Sequence, residues 1–341
     1  MLAMAFAKHG DVDVIEPMDL PVPELAEDEV LVQVKACALN HLDLWMRQGL
    51  PFQIPMPHIS GCDVTGVVAK LGTSVTGFKP GDRVMISPAI RCGHCEWCTS
   101  GEDSMCPEFK ILGLQLQGGL AEFTKARAVD LIRISDAWSF AEWAAIPLVF
   151  LTAWHMLFRR VHLKPGDDVL VQAAGSGVGS AAIQIAKLAG ARVFATAGSD
   201  DKLKLAQNLG ADYTINYAKQ NFADEVLKLT GKRGVDIVFE HIGESVWKDS
   251  MKCLARNGRL VTCGATSGPQ INIDLRFFFM RQLTLTGAYM GSRDELLQVV
   301  KLVERRELRP VVDTVMPLRE TREAQRRMAN REQFGKIVLE Q

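Results

Sequence analysis

At 341 residues with a formal net charge of −1, the chain is long enough for about two domains and carries no excess of either sign of charge. That balance excludes an electrostatic hold on nucleic acid or on an anionic membrane, and points to a small partner. No basic-then-apolar leader opens the sequence and no uncharged apolar run reaches the roughly 18 residues of a membrane span, so a cytoplasmic protein is expected.

Residues 1–130 carry short strand-like runs, Val30 to Ala36, Val64 to Lys70 and Arg83 to Ser87. Between them lie turn signals such as Pro21-Val-Pro23, Leu71-Gly-Thr73 and Lys79-Pro-Gly-Asp82, and the pattern predicts a compact β barrel. Within it, Cys92-Gly-His-Cys95-Glu-Trp-Cys98-Thr-Ser-Gly-Glu-Asp-Ser-Met-Cys106 places four of the eight cysteines inside 15 residues. Short loops at that spacing bring four thiolates within reach of one tetrahedral Zn²⁺. Four sulfurs leave no open coordination position, so one structural zinc is expected at Cys92, Cys95, Cys98 and Cys106. Two disulfides or a redox pair are the alternatives, and neither explains why all four cysteines crowd together. His94 reads as a loop residue, and Cys37 and Cys62 as small buried apolar groups.

The second half is organised around Asp168-Val-Leu-Val-Gln-Ala-Ala-Gly-Ser-Gly-Val-Gly-Ser180. Val169 to Val171 reads as a strand, Ala173 to Gly179 as a tight turn, and Ile183, Ile185, Ala186 and Ala189 as one face of a helix. Small side chains at Gly175, Ser176, Gly177, Val178 and Gly179 let the backbone approach a pyrophosphate, which the unpaired N–H groups of the helix then face. Further strand-like runs follow at Arg192–Ala197, Tyr213–Asn216, Val235–Phe239, Arg259–Cys263 and Leu283–Gly287, and the helices between them end at signals such as Gly190, Gly210 and Gly258. This alternation predicts a doubly wound parallel sheet that binds a dinucleotide at the carboxyl ends of its strands.

The end of the second strand offers Thr196 and Ala197 where NAD selectivity usually requires a carboxylate. Ser199 can donate to a 2′-phosphate and Lys202 can neutralise it, so NADP(H) is expected. NAD is the alternative, with Lys202 solvated and Asp200 or Asp201 holding the ribose. Leu296, Val299, Val300 and Val303 then mark an amphipathic helix, and Pro310–Val312 and Lys336–Leu339 read as strands that return to the first domain. The expected organisation is a catalytic domain of residues 1–150 and 290–341, with its metal lobe at 91–107, and a cofactor domain of residues 151–289. The active site is expected in the cleft between them.

The cysteine lobe and the Ala173–Gly179 turn occur together with Gly61-Cys-Asp-Val-Thr-Gly66, Thr152-Ala153 and Gly335-Lys-Ile-Val-Leu339. In this order they resemble the medium-chain dehydrogenase/reductase superfamily, which includes zinc alcohol dehydrogenases and quinone oxidoreductases. The resemblance implies an α/β fold: a Rossmann doubly wound parallel sheet plus a GroES-like β-barrel catalytic domain. It also implies that Thr152, Gly243 and Gly264 lie at the cofactor, with Lys202 and Tyr217 at its 2′-phosphate. Ser176 stands where related chains have glycine. His241 either faces the cofactor or packs at a strand end.

In zinc alcohol dehydrogenases a Cys, a His and a second Cys hold the reactive metal; here those places carry Asn40, Cys62 and Leu148. The proton-relay places carry Leu42 and Trp45. An apolar Leu cannot bind Zn²⁺, so no catalytic zinc is expected, the alternative being a cage of Cys62, Asp63 and His41 or His58. Asn40, Asp43 and Arg47 instead match the Asn-x-x-Asp-x-x-x-Arg-x-Gly pattern of quinone oxidoreductases. By that resemblance Asn40 is a neutral donor near the nicotinamide and the reacting carbonyl, and Trp45 is a pocket wall or, alternatively, a core aromatic.

The implied reaction is hydride transfer from NADP(H) to an activated C=C bond or a quinone. Alcohol/aldehyde interconversion and cofactor binding without turnover are the alternatives. Trp45, Leu50, Phe52, Leu148 and residues near Tyr289 suggest a small apolar carbonyl, enone or quinone substrate. The family pairs its last Rossmann strand across a dimer axis, which implies a homodimer or homotetramer.

Overall fold

The computed structural model describes residues 1–341 and divides into two compact units. One comprises Met1–Leu148, Ser292–Glu304 and Arg309–Gln341; the other comprises Val149–Gly291 and Arg305–Leu308. No helix is long and apolar enough to cross a membrane.

The first unit is built on a seven-stranded sheet whose central strand, Glu29–Ala38, is mostly buried. It pairs antiparallel with Asp63–Leu71, Phe123–Arg127 and the closing strand Lys336–Glu340. Small residues at Ala36, Ala38, Ala141 and Ala144 let the helix Phe140–Ala144 lie close against this sheet beside Val338. Two registers decide what meets at the end of the central strand. Ala38 lies opposite Asp63 on one side and opposite Val338 on the other. Continuing the second register two residues sets Asn40 across from Lys336, and Leu39 N donates to Ile337 O at 2.9 Å along the way. The chain then turns into the helix His41–Gln48, with Asn40 at its N-cap.

The second unit has six parallel strands in the order Tyr213–Asn216, Arg192–Ala197, Asp168–Val171, Val235–Glu240, Leu254–Thr262, Thr284–Gly287. Helices Gly177–Leu188, Asp200–Asn208, Phe222–Leu229, Glu244–Cys253 and Leu275–Met280 connect them in turn. The order reverses beside Asp168–Val171, which makes a crevice at its carboxyl end and that of Val235–Glu240. Leu170, Phe194, Ile215, Val238 and Leu260 form the continuous apolar layer that a sheet covered on both faces requires.

Two local expectations are corrected. Gly258 does not end a helix: the helix stops at Cys253, and Gly258 lies within Leu254–Thr262, where a Cβ would meet Ala255 O at 2.9 Å. The strand read at Pro310–Val312 instead runs Val312–Pro317, because its parallel register to the closing strand begins at Val312 opposite Lys336. Pro310 has no N–H to give a ladder.

Candidate functional site

The dinucleotide turn is held from beneath by side chains. Thr196 Oγ1 donates to Gln172 Oε1 at 2.7 Å and accepts from Ala173 N at 3.2 Å, while Gln172 Nε2 donates to Ser250 Oγ at 3.1 Å. Thr196 is therefore part of the turn's support. Ser176 is the N-cap of Gly177–Leu188, its Oγ accepting from Gly179 N at 2.9 Å. Gly179 is required by packing, since a Cβ there would lie 2.5 Å from Ala173 O. Gly175 is buried in the turn, and Gly177 and Val178, half-buried, open the helix with N–H groups toward the crevice.

His241, at the end of Val235–Glu240, places Nε2 3.3 Å from Ser176 Oγ and 3.1 Å from Gln172 O. Burial pushes its pKa down to about 4, so the ring is neutral near pH 7. It braces the turn from the neighbouring strand. Gly243 N donates to Glu240 Oε1 at 2.7 Å, and at Gly264 a Cβ would meet His241 O at 2.7 Å, so both glycines are places of close backbone approach. Thr152 is buried, and its Oγ1 has no hydrogen-bond partner in the protein. An orphaned buried hydroxyl in the cofactor unit fits a bound dinucleotide.

At the far end of the second strand, Ser199 caps the helix Asp200–Asn208. Lys202 is half-buried in that helix's first turn. Tyr217 is exposed, and its ring fills the space a side chain at Gly198 would need, with Oη 2.9 Å from such a Cβ. The two competing carboxylates are engaged elsewhere. Asp200 accepts from Asn216 Nδ2 at 2.6 Å and Lys219 Nζ at 2.5 Å, and Asp201 pairs with Lys204 at 3.1 Å. The Lys219 bond holds the Asp200 carboxyl below its usual range.

In the barrel unit, Asn40 sits in a buried polar cluster. Its Nδ2 donates to Asp63 Oδ2 at 2.8 Å and contacts Cys62 Sγ at 3.2 Å. Lys336 Nζ donates to Asn40 Oδ1 at 2.5 Å and to Asp63 Oδ2 at 2.9 Å. Asp63 Oδ1 accepts from Leu148 N at 2.8 Å, so both carboxylate oxygens are occupied. Asp43 reaches back to Asn40 N at 2.7 Å and to Gly61 N at 2.9 Å, and burial raises its pKa to about 6 against those two bonds. Burial also pushes the Cys37 and Cys62 thiols up. Trp45 is half-buried, edge-on to His41 with ring centroids 5.3 Å apart.

Lys336 was invisible as a site residue in the sequence, where it reads as the start of a strand. The available signal was a lysine opening an otherwise apolar run. His58 is engaged with Gly113 O, its Nε2 lying 3.0 Å away. Cys62 and Asp63 belong to neither group of ligand atoms that come within 4.8 Å of one another. The donor set at the catalytic-metal positions, an amide, a buried thiol and a leucine beside a fixed ammonium, does not fit a catalytic zinc.

Those two groups are Cys92, Cys95, Cys98 and Cys106, and Cys92, His94 and Glu108. Cys92 Sγ and Cys98 Sγ are 3.8 Å apart, which matches the edge of a tetrahedron with Zn–S bonds of about 2.3 Å. Backbone N–H groups of Cys95, Gly93 and Cys92 point at Cys92, Cys98 and Cys106 sulfurs at 3.4, 3.4 and 3.5 Å, as thiolates need. The lobe is tied to its unit by Arg91, which pairs with Asp103 at 2.7 Å and the fully buried Asp130 at 3.0 Å. His94 is exposed and turned to Cys92 O.

A doubly wound sheet with a dinucleotide turn, in one chain with a second, β-rich unit, defines a dinucleotide-binding protein. Residues 26–136 match the alcohol dehydrogenase GroES-like domain and residues 177–305 the zinc-binding dehydrogenase domain. The chain is 33% identical to a zinc-type alcohol dehydrogenase-like protein of Schizosaccharomyces pombe, covering 99% of each. It is 31% identical to a crotonyl-CoA carboxylase/reductase of Cereibacter sphaeroides, over 94% of this chain and 82% of that one. A crystal structure of an NAD-dependent alcohol dehydrogenase superposes with a TM-score of 0.97 at 46% identity, covering 100% of both chains. The chain belongs to the medium-chain dehydrogenase/reductase superfamily, and is an NAD(P)-dependent oxidoreductase of that group.

Proposed function

We propose that the enzyme uses NADP(H) to reduce an activated acceptor, the C=C bond of an enal or enone or a quinone, without a catalytic metal. The observation that carries this reading is the Asn40–Asp63–Lys336 cluster, which fills the place of a metal cage with hydrogen-bonding groups. NADP(H) held by the turn and by Thr152, Gly243 and Gly264 would supply a hydride, to the β-carbon of an enal or enone or to a quinone, and one solvent proton would balance it, at the α-carbon or at the quinol oxygen. The residues of the chain then have only to stabilise the negative charge that develops on the carbonyl or quinone oxygen. Asn40 donates to that oxygen through the Nδ2 hydrogen that faces Cys62, a thiol and so a weak acceptor that a substrate oxygen displaces. Trp45, half-buried beside His41, would serve as a wall for an apolar substrate. Similarity to a crotonyl-CoA carboxylase/reductase supports an acceptor whose double bond is conjugated to a carbonyl.

NADP(H) is supported by the engagement of Asp200 and Asp201 with lysines and by Ser199, Lys202 and Tyr217 around the end of the second strand. Gly175, Ser176, Gly177, Val178 and Gly179 hold the pyrophosphate, and Thr152, Gly243 and Gly264 the nicotinamide half. The four cysteines of the lobe hold one structural zinc, in a cytoplasmic setting where thiols stay reduced. The edge strand Thr284–Gly287, with Leu275, Phe279 and Met280 exposed on the adjoining helix, supports pairing to a second copy in a homodimer or a dimer of dimers. Alcohol dehydrogenation is a second reading, favoured by the 46% identity to an NAD-dependent alcohol dehydrogenase. A panel of trans-2-alkenals, quinones and primary alcohols with each cofactor separates the two. NADPH oxidation with alkenals or quinones is expected; turnover of primary alcohols alone would replace this reading by the second.

A further inference from the structure

We infer that Lys336 is a positioning residue of the reaction, which acts by fixing the amide of Asn40 in one of its two orientations; the inference rests on the reduction proposed above. The two ends of an Asn side chain have nearly the same shape, so partners decide which end faces where. Here the partners leave no choice. An ammonium only donates, so the group 2.5 Å from Lys336 Nζ is Oδ1; a carboxylate only accepts, so the group 2.8 Å from Asp63 Oδ2 is Nδ2. Two charges of opposite sign thus orient a neutral dipole from both sides. One Nδ2 hydrogen is spent on Asp63, and the other is left facing the Cys62 sulfur.

Burial makes the constraint strong. Lys336, Asn40, Asp63 and Cys62 are 3%, 6%, 0% and 2% exposed, so little water competes for these bonds. A lysine at the start of an apolar strand is costly to bury unless paired, and a simple pair with Asp63 would have satisfied that need. The geometry goes further, with the shortest of its contacts made to the amide oxygen. Asp43 holds the backbone of the same residue through Asn40 N, so side chain and main chain are fixed by separate carboxylates. The groups facing Lys336 in this cluster are Asn40 and Asp63, with Asp43, Cys37 and Cys62 close enough to feel its charge.

The test compares the full-length enzyme with Lys336→Met, Lys336→Arg and the paired variant Lys336→Met/Asp63→Asn, each with and without Asn40→Ala. The paired variant removes both members of the Lys336–Asp63 ion pair and leaves Asp43 on its two backbone N–H partners, and so remains informative where Lys336→Met alone fails to fold. With NADPH and trans-2-hexenal, loss of Lys336 is expected to lower kcat at least tenfold while the Kd for NADPH, read by fluorescence titration, stays within twofold. In the Asn40→Ala background the same replacement is expected to change kcat by less than twofold, and Lys336→Arg to recover part of the loss. A second readout needs no turnover: the Asn40 side-chain amide pair in a ¹H–¹⁵N spectrum, assigned by its disappearance in Asn40→Ala. It is expected to be well separated and slow to exchange in the native enzyme, and to exchange at least tenfold faster in Lys336→Met, or in the paired variant relative to Asp63→Asn alone, so that loss of the Asp63 bond is common to both sides of that comparison. An unchanged amide signal would overturn the inference, as would equal kcat losses in the two backgrounds or a loss appearing only in the NADPH Kd. Should the native enzyme reduce neither enal nor quinone, the reaction proposed above fails, and the amide signal alone still decides what Lys336 does.

Discussion

Replacing Gly179 by Ala tests whether the dinucleotide turn is built as described. The added methyl would sit 2.5 Å from Ala173 O and 2.9 Å from Ser176 Oγ. Neither neighbour can move freely: Ala173 is held through its N–H by Thr196, and Ser176 Oγ is the cap that accepts from Gly179 N itself. The helix Gly177–Leu188 must therefore back away from the turn by several tenths of an ångström. Overpacking of this kind costs about 1–3 kcal/mol. At about 2–4 °C per kcal/mol for a domain of some 150–250 residues, melting of the apoenzyme should fall by about 2–12 °C. The same shift moves the N–H groups meant for the pyrophosphate, and NADPH binding should weaken at least tenfold, equivalent to about 1.4 kcal/mol. Thermal melts and fluorescence titration with NADPH measure both effects. A variant that binds NADPH within twofold of the native enzyme would refute the reasoning.

Lys202→Ala should raise the Kd for NADPH about tenfold and leave that for NADH within twofold; equal changes for the two cofactors would remove the 2′-phosphate assignment. His241 is held neutral down to about pH 4 by burial, whereas in an unfolded chain it takes up a proton near 6.5. Its folded pKa is depressed, so its contribution to stability is lost as the pH falls through the window from about 6.5 to about 4, by up to about 3 kcal/mol. Urea midpoints at pH 7 and 4.5 should therefore differ less for His241→Gln than for the native enzyme, and an equal difference would contradict the assignment. Leu275→Glu combined with Phe279→Glu should convert the assembled enzyme to monomers by light scattering; a native enzyme that is already monomeric would dispose of the pairing.

Much of this was legible in the sequence, and the reason lies in the range of the forces involved. The turn from Ala173 to Gly179 and the lobe from Cys92 to Cys106 are local: spacing along the chain dictates which N–H groups or sulfurs converge. The alternation of strands and helices in the cofactor unit is likewise a local pattern repeated. Gly258 misled because a glycine ends helices and also fits a crowded strand, and only the Ala255 contact distinguishes the two. The Asn40 cluster was half legible. Asn40, Cys62, Asp63 and Lys336 all fall in short motifs, but the contact of Lys336 to Asn40 spans 296 residues through an antiparallel register, which no local pattern encodes. The same holds for His241, whose contact to Ser176 crosses 65 residues and depends on which strands are neighbours in the sheet.

The central claim is hydride transfer to an activated acceptor without a catalytic metal, and metal content per chain tests it most directly when measured beside NADPH oxidation. One zinc per chain is predicted, lost with Cys92→Ala, retained with Cys62→Ala, and accompanied by reduction of an enal or a quinone. Two zincs per chain, one of them lost with Cys62→Ala together with the activity, would contradict it.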